Sequence, residues 1–211
     1  MSKAVLISIQ PQWCKKIMAG EKTIEVRKTK PNLQTPFKCY VYCTQGYGKN
    51  TFNVPILDEA VRKHYEETGS MEMLNCPIGN GKVIGEFVCD KVDDIHVFDN
   101  GTIQNWNAYG LDRGCVNYDD MAKYIGTGKT GYGWHISDFI LYEQPKDLSE
   151  FEKYSEDDLR PCQNGKKCEH QYFDVEENCK ACSIDFDGEN CPVLKISRPP
   201  QSWCYVEEVQ A

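Results

Sequence analysis

Hydrophobic positions recur along this 211-residue chain in short runs, most of them alternating with polar residues. Residues 4–9, AVLISI, form an apolar run of strand length. Pro11 then suits the first turn of a helix. The pairs Trp13/Ile17 and Cys14/Met18 stand four apart and give that helix one apolar face, with Trp13 expected in the core. Gly20 follows as a C-terminal cap. In TIEVRK, residues 23–28, Ile24 and Val26 alternate with Thr23, Glu25 and Arg27. That pattern predicts a strand with one apolar and one polar face. The loop with Pro31 and Pro36 ends it. FKCYVYCT, residues 37–44, alternates again, and Cys39, Val41 and Cys43 share a face expected to be core.

Asp58 caps a short predicted helix that stops at Gly69. VIGEFVCDKVDDIHVF, residues 83–98, reads as one long or broken strand, and DNGT at 99–102 is a hairpin turn signal. Asn117 caps a helix that ends at Gly126. YGWHISDFILYE, residues 132–143, is a further strand. Residues 146–160 are highly charged and fit a helix or a linker. LKISRPPQSWCYVEE closes the chain with a strand after two prolines. This order lacks the regular strand–helix alternation of a doubly wound sheet. It predicts an α+β fold, a small mixed or antiparallel barrel with peripheral helices. The segments ISIQPQWC and ISRPPQSWC look alike, but two matching pieces lack the sustained period of a repeat architecture.

Charge narrows the function classes. The formal net charge is −8, so the chain is no general coater of nucleic acid, and any such role rests on a local patch. With no apolar run of 18 residues, no membrane span is expected. The N-terminus reads as a strand rather than a signal peptide, and a cytoplasmic location is expected.

Cysteine usage divides the chain. Of twelve cysteines, Cys162, Cys168, Cys179, Cys182 and Cys191 crowd into one polar segment, which also holds His170. Zinc takes four N or S ligands in a tetrahedron, and the C-x2-C knuckle at Cys179 and Cys182 is the clearest piece. A segment with so few apolar residues needs a metal or disulfides to fold. In a cytosolic chain the metal is favoured over disulfides, with free thiols the bland alternative. The expected cofactor is therefore a structural zinc ion (Zn2+) on Cys162, Cys168, Cys179 and Cys182, with Cys191 able to replace Cys162. Residues 1–147 with 194–211 form the expected barrel domain, and 148–193 a charged linker and Cys-rich, zinc-binding insertion.

Between Lys15 and Lys30 six bases stand against two acids. Such runs are ordinarily a solvated face. Here they flank a tight helix–strand turn with free backbone N–H groups. Glu25 and Arg27 share a strand face, where the carboxylate can hold the Arg fork for a phosphate or a base edge. Lys22 is a candidate base or nucleophile if burial or neighbouring cations depress its pKa, although Glu21 and Glu25 act the other way. Trp106 and Tyr132 are candidates for stacking a base. His135 is either a cleft residue or a satisfied structural histidine.

An apolar strand, an amphipathic helix and then GEKTIEVR resemble the signature of ASCH domains, G-x-K-x-x-E-x-R, at Gly20, Lys22, Glu25 and Arg27. The strands FKCYVYCT and VIGEF, the Tyr-Gly-Trp-His segment and RPPQSWCYVEE extend the likeness, to ASCH proteins of bacteria and their phages. It covers residues 3–147 and 194–208. The resemblance implies a PUA-like β-barrel with a cleft at the motif that binds RNA or another nucleic acid, or a modified nucleoside. Lys22, Glu25, Arg27, Trp106, Tyr132 and His135 are then the ligand-binding candidates. One branch of the family is an amidohydrolase that deacetylates acetylated cytidine with a Lys, a Thr and a later Glu. Lys22 matches the Lys, Glu25 stands where that branch has Thr, and the region of the later Glu falls near residues 112–114. A further reading is a phage-type protein that blocks a host partner.

Overall fold

The computed structural model describes residues 2–45, 79–104, 106, 110–154 and 195–209. The predicted helix at 58–69 and all five clustered cysteines lie outside the described residues. In chain order the elements are β1 (Lys3–Ile9), α1 (Pro11–Met18), β2 (Ile24–Arg27), β3 (Phe37–Cys43), β4 (Lys82–Cys89) and β5 (Val92–Val97). A helical turn (Leu111–Gly114), α2 (Tyr118–Ile125), β6 (Lys129–His135), β7 (Ser137–Lys146), a second turn (Leu148–Glu150) and β8 (Trp203–Glu207) follow.

β1 is contiguous in apolar residues because it lies inside a five-stranded sheet covered on both faces, in the order β7-β4-β3-β1-β8. It runs parallel to β3 and antiparallel to β8, with Ile7 opposite Trp203. A second sheet has the order β2-β6-β5. The fold is thus α+β with mixed strands, as the pattern predicts, but the expected barrel is built as two sheets and neither closes on itself.

Both long apolar runs bend from one sheet into the other. The run at 83–98 divides into β4 of the larger sheet and β5 of the smaller. The run at 132–143 divides at Ile136 into β6 and β7, and Asp138 takes a positive φ of 50° just beyond. Strands that switch sheets in this way form the corners of a two-sheet core. One cluster, with Val5, Ile7, Cys39, Val41, Phe87 and Trp134, fills one face of the large sheet. A second, with Leu6, Tyr40, Phe151 and Val206, covers the other face. A third, with Ile24, Val26, Ile95, Leu111, Met121 and Ile125, lies under α2.

Local chemistry fixes the joints. Asn117 caps α2 by accepting the Asp120 N–H at 2.8 Å. Gly20 takes φ +71° after α1, the left-handed turn that suits glycine. Asp147 and Glu150 close a capping box around the second helical turn, and Phe151 follows, fully buried, so the start of this charged stretch packs on the sheet. Among the described residues no helix is long and apolar enough to cross a membrane.

Candidate ligand-binding cleft

The turn at Gly20 sends the chain from α1 directly into β2. The N–H groups of Glu21 and Lys22 both donate to Lys16 O, at 2.9 and 3.0 Å, and Thr23 N–H donates to Arg113 O at 3.1 Å. β2 therefore starts with both neighbours pinned. Its alternation gives two faces as expected, but both are buried. Ile24 and Val26 enter the third core cluster. On the other side Lys22, Glu25 and Arg27 are only 2%, 6% and 8% exposed.

These three charges form one connected group. Lys22 Nζ donates to Gly114 O at 2.6 Å and Ile24 O at 2.8 Å, and lies 3.2 Å from Glu25 Oε2. The Trp13 ring centroid is 5.3 Å from the same ammonium. Arg27 Nη2 donates to Ser8 O at 2.6 Å and lies 2.9 Å from Glu25 Oε1, while Nη1 donates to Ser202 Oγ at 3.3 Å. Glu25 thus neutralises two buried cations from the centre. One donor is left over: Arg27 Nε is buried without a hydrogen-bond partner, while Glu25 Oε2 has only its ion-pair contact with Lys22 Nζ.

The group lines a cleft of about 1000 Å³. Trp13 of α1 and Asn117, Asp120 and Tyr124 of α2 form two of its sides. Pro199, Pro200 and Gln201 form another. That last wall is tied to β1, because Ser8 Oγ donates to Pro200 O at 2.6 Å and Ser8 N–H to Ser202 O at 2.9 Å. The lining carries Lys22 and Arg27 against Glu25 and Asp120, so it is formally neutral. Burial pushes the Tyr124 phenol above its ordinary value, with Arg27 lowering it and Glu25 raising it further.

The cleft brings together Lys22, Glu25 and Arg27 and leaves out the other three candidates. Trp106 packs on Tyr118 with ring centroids 5.1 Å apart, against the third cluster. Tyr132 is the cross-strand partner of Arg27, one strand away from the cleft, and carries Lys30 Nζ 4.8 Å from its ring centroid. His135 Nε2 lies 2.7 Å from Asp93 Oδ2 in a partly buried pair. Trp13, expected in the core, lines the cleft as well as packing on the first cluster.

Sequence reasoning did not select Ser8, Asn117, Asp120, Tyr124 or the 199–201 wall. A signal existed for two of these groups. Asn117, Asp120 and Tyr124 stand at i, i+3 and i+7 and so share a face of α2. The look-alike segments ISIQPQWC and ISRPPQSWC meet side by side at the cleft through β1 and β8. Among the described residues no cluster of three or more His, Cys, Asp or Glu side chains suits a metal.

No family model and no curated protein matches the chain. Among solved structures it is similar to ASCH from Zymomonas mobilis, at 16% identity and a TM-score of 0.45, over 97% of this chain and 88% of that one. A tyrosine-to-phenylalanine variant of that protein gives 16% identity and a TM-score of 0.46, over 98% of this chain and 92% of that one.

Proposed function

We propose that the chain is an ASCH-type protein that binds nucleic acid or a modified nucleoside, holding an unpaired base at Lys22, Glu25 and Arg27. The observation that carries this reading is that Glu25 and Arg27 line the cleft side by side, with Arg27 Nε buried and unpartnered and Glu25 Oε2 holding only its Lys22 contact. One accepts and the other donates, and the two residues share a strand face. A nucleobase edge presents neighbouring donors and acceptors of the same kind. Leaving the buried Arg27 Nε unpaired costs about 1–3 kcal/mol, which a ligand that pairs with it would recover.

The neutral lining favours a base over a phosphate in this part of the cleft. Both cations already face Glu25 and protein oxygens. Lys22 then acts by holding Glu25 in position. Three oxygens within 3.2 Å of Nζ suit an ammonium with three N–H donors and leave no side for the lone pair of a nucleophile. For the clustered cysteines the proposal remains one structural zinc, since a set of four thiolates fits that ion.

Fluorescence anisotropy with labelled short single-stranded RNA and DNA tests the binding. Binding at low salt is expected, and Arg27→Lys, which keeps the charge but loses the Nε donor and the fork, should weaken it by at least about tenfold. Absence of binding to RNA, DNA and free nucleosides at low salt refutes the reading. Incubation with N4-acetylcytidine followed by chromatography should return the substrate unchanged. Release of acetate that disappears in Lys22→Ala would instead make Lys22 a catalytic residue.

A further inference from the structure

We infer that Tyr124 is the stacking platform of the cleft, with Lys28 beside it to meet the phosphate of the stacked nucleotide. This rests on the reading of the cleft as a base site and adds the residue that holds the ring plane. The large hydrophobic side chains exposed among the described residues are Phe98, Tyr124 and Ile140. Of these, Tyr124 lines the cleft. Phe98 already packs edge-on against His96, with centroids 5.0 Å apart, and Ile140 lies on β7.

The other aromatic rings of the lining have less to offer. Tyr42 is buried in the second core cluster. Trp13 packs on the first cluster, and the Lys22 ammonium faces its ring. Tyr124 is 43% exposed, and among the described residues its hydroxyl makes no hydrogen bond. Its backbone is nonetheless rigidly set, because Met121 and Ile125, on either side of it in α2, are buried in the third cluster. A half-open aromatic ring on an anchored helix face is what stacking of an unpaired base requires.

Lys28 follows the motif strand and sets its ammonium 5.0 Å from the Tyr124 ring centroid. Among the described residues it has no carboxylate partner, unlike Lys22, Lys30 or Lys38. It stands over one face of the ring, so a base stacked on Tyr124 takes the other, and its charge lies outside the neutral lining of the cleft. The division of labour follows: Glu25 and Arg27 read an edge, Tyr124 grips a plane, and Lys28 meets the backbone.

The test compares wild type, Tyr124→Ala, Tyr124→Phe and Lys28→Ala for anisotropy-detected binding of two labelled probes. One probe is a short single-stranded RNA, and the other is an abasic ribose-phosphate chain of equal length. Tyr124→Ala should weaken RNA binding by about tenfold, the effect of losing one base–aromatic stack, and Tyr124→Phe should stay within about twofold of wild type. The advantage of RNA over the abasic probe should shrink in Tyr124→Ala. Lys28→Ala should flatten the salt dependence for both probes. Circular dichroism melting confirms that each variant is folded. If wild type binds and Tyr124→Ala binds equally well, or if Tyr124→Phe loses as much as the alanine variant, the stacking role is overturned and the base-site reading stands. If wild type binds neither probe nor a free nucleoside, the base-site reading falls and takes this inference with it.

Discussion

Replacing Glu25 by Gln keeps the shape of the side chain and removes only its charge. Glu25 is buried and lies 2.9 Å from Arg27 Nη2 and 3.2 Å from Lys22 Nζ. In the variant both cations stay buried and face only neutral acceptors: two backbone carbonyls for Lys22, Ser8 O and Ser202 Oγ for Arg27. Breaking a buried ion pair from one side costs about 3–5 kcal/mol. The retained carbonyl contacts favour the lower end, about 3 kcal/mol. In a chain of this size about 1 kcal/mol moves Tm by about 2–4 °C, so a fall of about 6–12 °C is expected by circular dichroism. The companion variant is Lys22→Met, Glu25→Leu, Arg27→Met, which removes all three charges at similar volume. Replacing a buried ion triad by apolar residues is often neutral or stabilising, so the triple variant should melt well above Glu25→Gln while losing all ligand binding. A Glu25→Gln shift under about 2 °C, or a triple variant no more stable than Glu25→Gln, refutes the claim that Glu25 neutralises two buried cations.

Three further outcomes are expected. Burial would raise the Asp93 carboxyl, but hydrogen bonds and charge from Lys91 and His135 outweigh it and hold the group below its ordinary value. A folded pKa below the unfolded one gives stability that is full above the unfolded value and lost as pH falls through the folded one. Asp93→Asn should therefore cost about 2 kcal/mol at pH 7 in urea unfolding, and the gap to wild type should close below about pH 4; a gap constant with pH refutes this. A Cβ at Gly85 would stand 2.3 Å from the Ile140 backbone oxygen, so Gly85→Ala must part β4 from β7. A loss of about 3 kcal/mol is expected, and an unchanged urea midpoint would contradict the close approach. Elemental analysis should find about one zinc per chain, lost in the double variant Cys179→Ser, Cys182→Ser. Protein that carries none and melts unchanged in chelator would dismiss the metal.

Local pattern made some elements legible and hid others for a definable reason. β1, α1 and β3 each bury a continuous or evenly spaced apolar set, so their periods are visible in the chain. The changes of sheet at Asp90–Lys91 and Ile136 are not visible, because apolar residues continue on both sides of each bend and periodicity does not say which sheet receives them. The charges of GEKTIEVR were legible, but their burial was not. It comes from Ser8, Gly114 and the segment near Pro200, all brought in by tertiary contacts. Stacking candidates suffered similarly. Trp106 stands among polar neighbours in the chain yet packs on Tyr118, whereas Tyr124 has an ordinary helical context and opens on the cleft.

A buried Lys–Glu–Arg group is a poor way to stabilise a fold, since apolar residues of equal volume do as well or better. Its position here explains why it is tolerable. The Trp134 Nε1 atom is also buried and unpartnered, but its ring is wedged between Phe37 and Trp203 in the core, where no ligand reaches. The Glu25 and Arg27 side chains instead line an open cleft, and Arg27 Nε has no partner within the protein. Glu25 is itself oriented by Lys22, which is fixed by the Gly114 carbonyl, and Arg27 is oriented by Ser8. The donor and acceptor are therefore set before any ligand arrives, and binding need not order them, which is the condition under which pairing with a base edge is converted into affinity. The same rigidity makes the cleft intolerant of small changes. Ser8→Ala removes the tie from β1 to Pro200 without touching a charge, so it should loosen the 199–201 wall and weaken binding while leaving the Glu25 ion pairs, and most of the stability, in place.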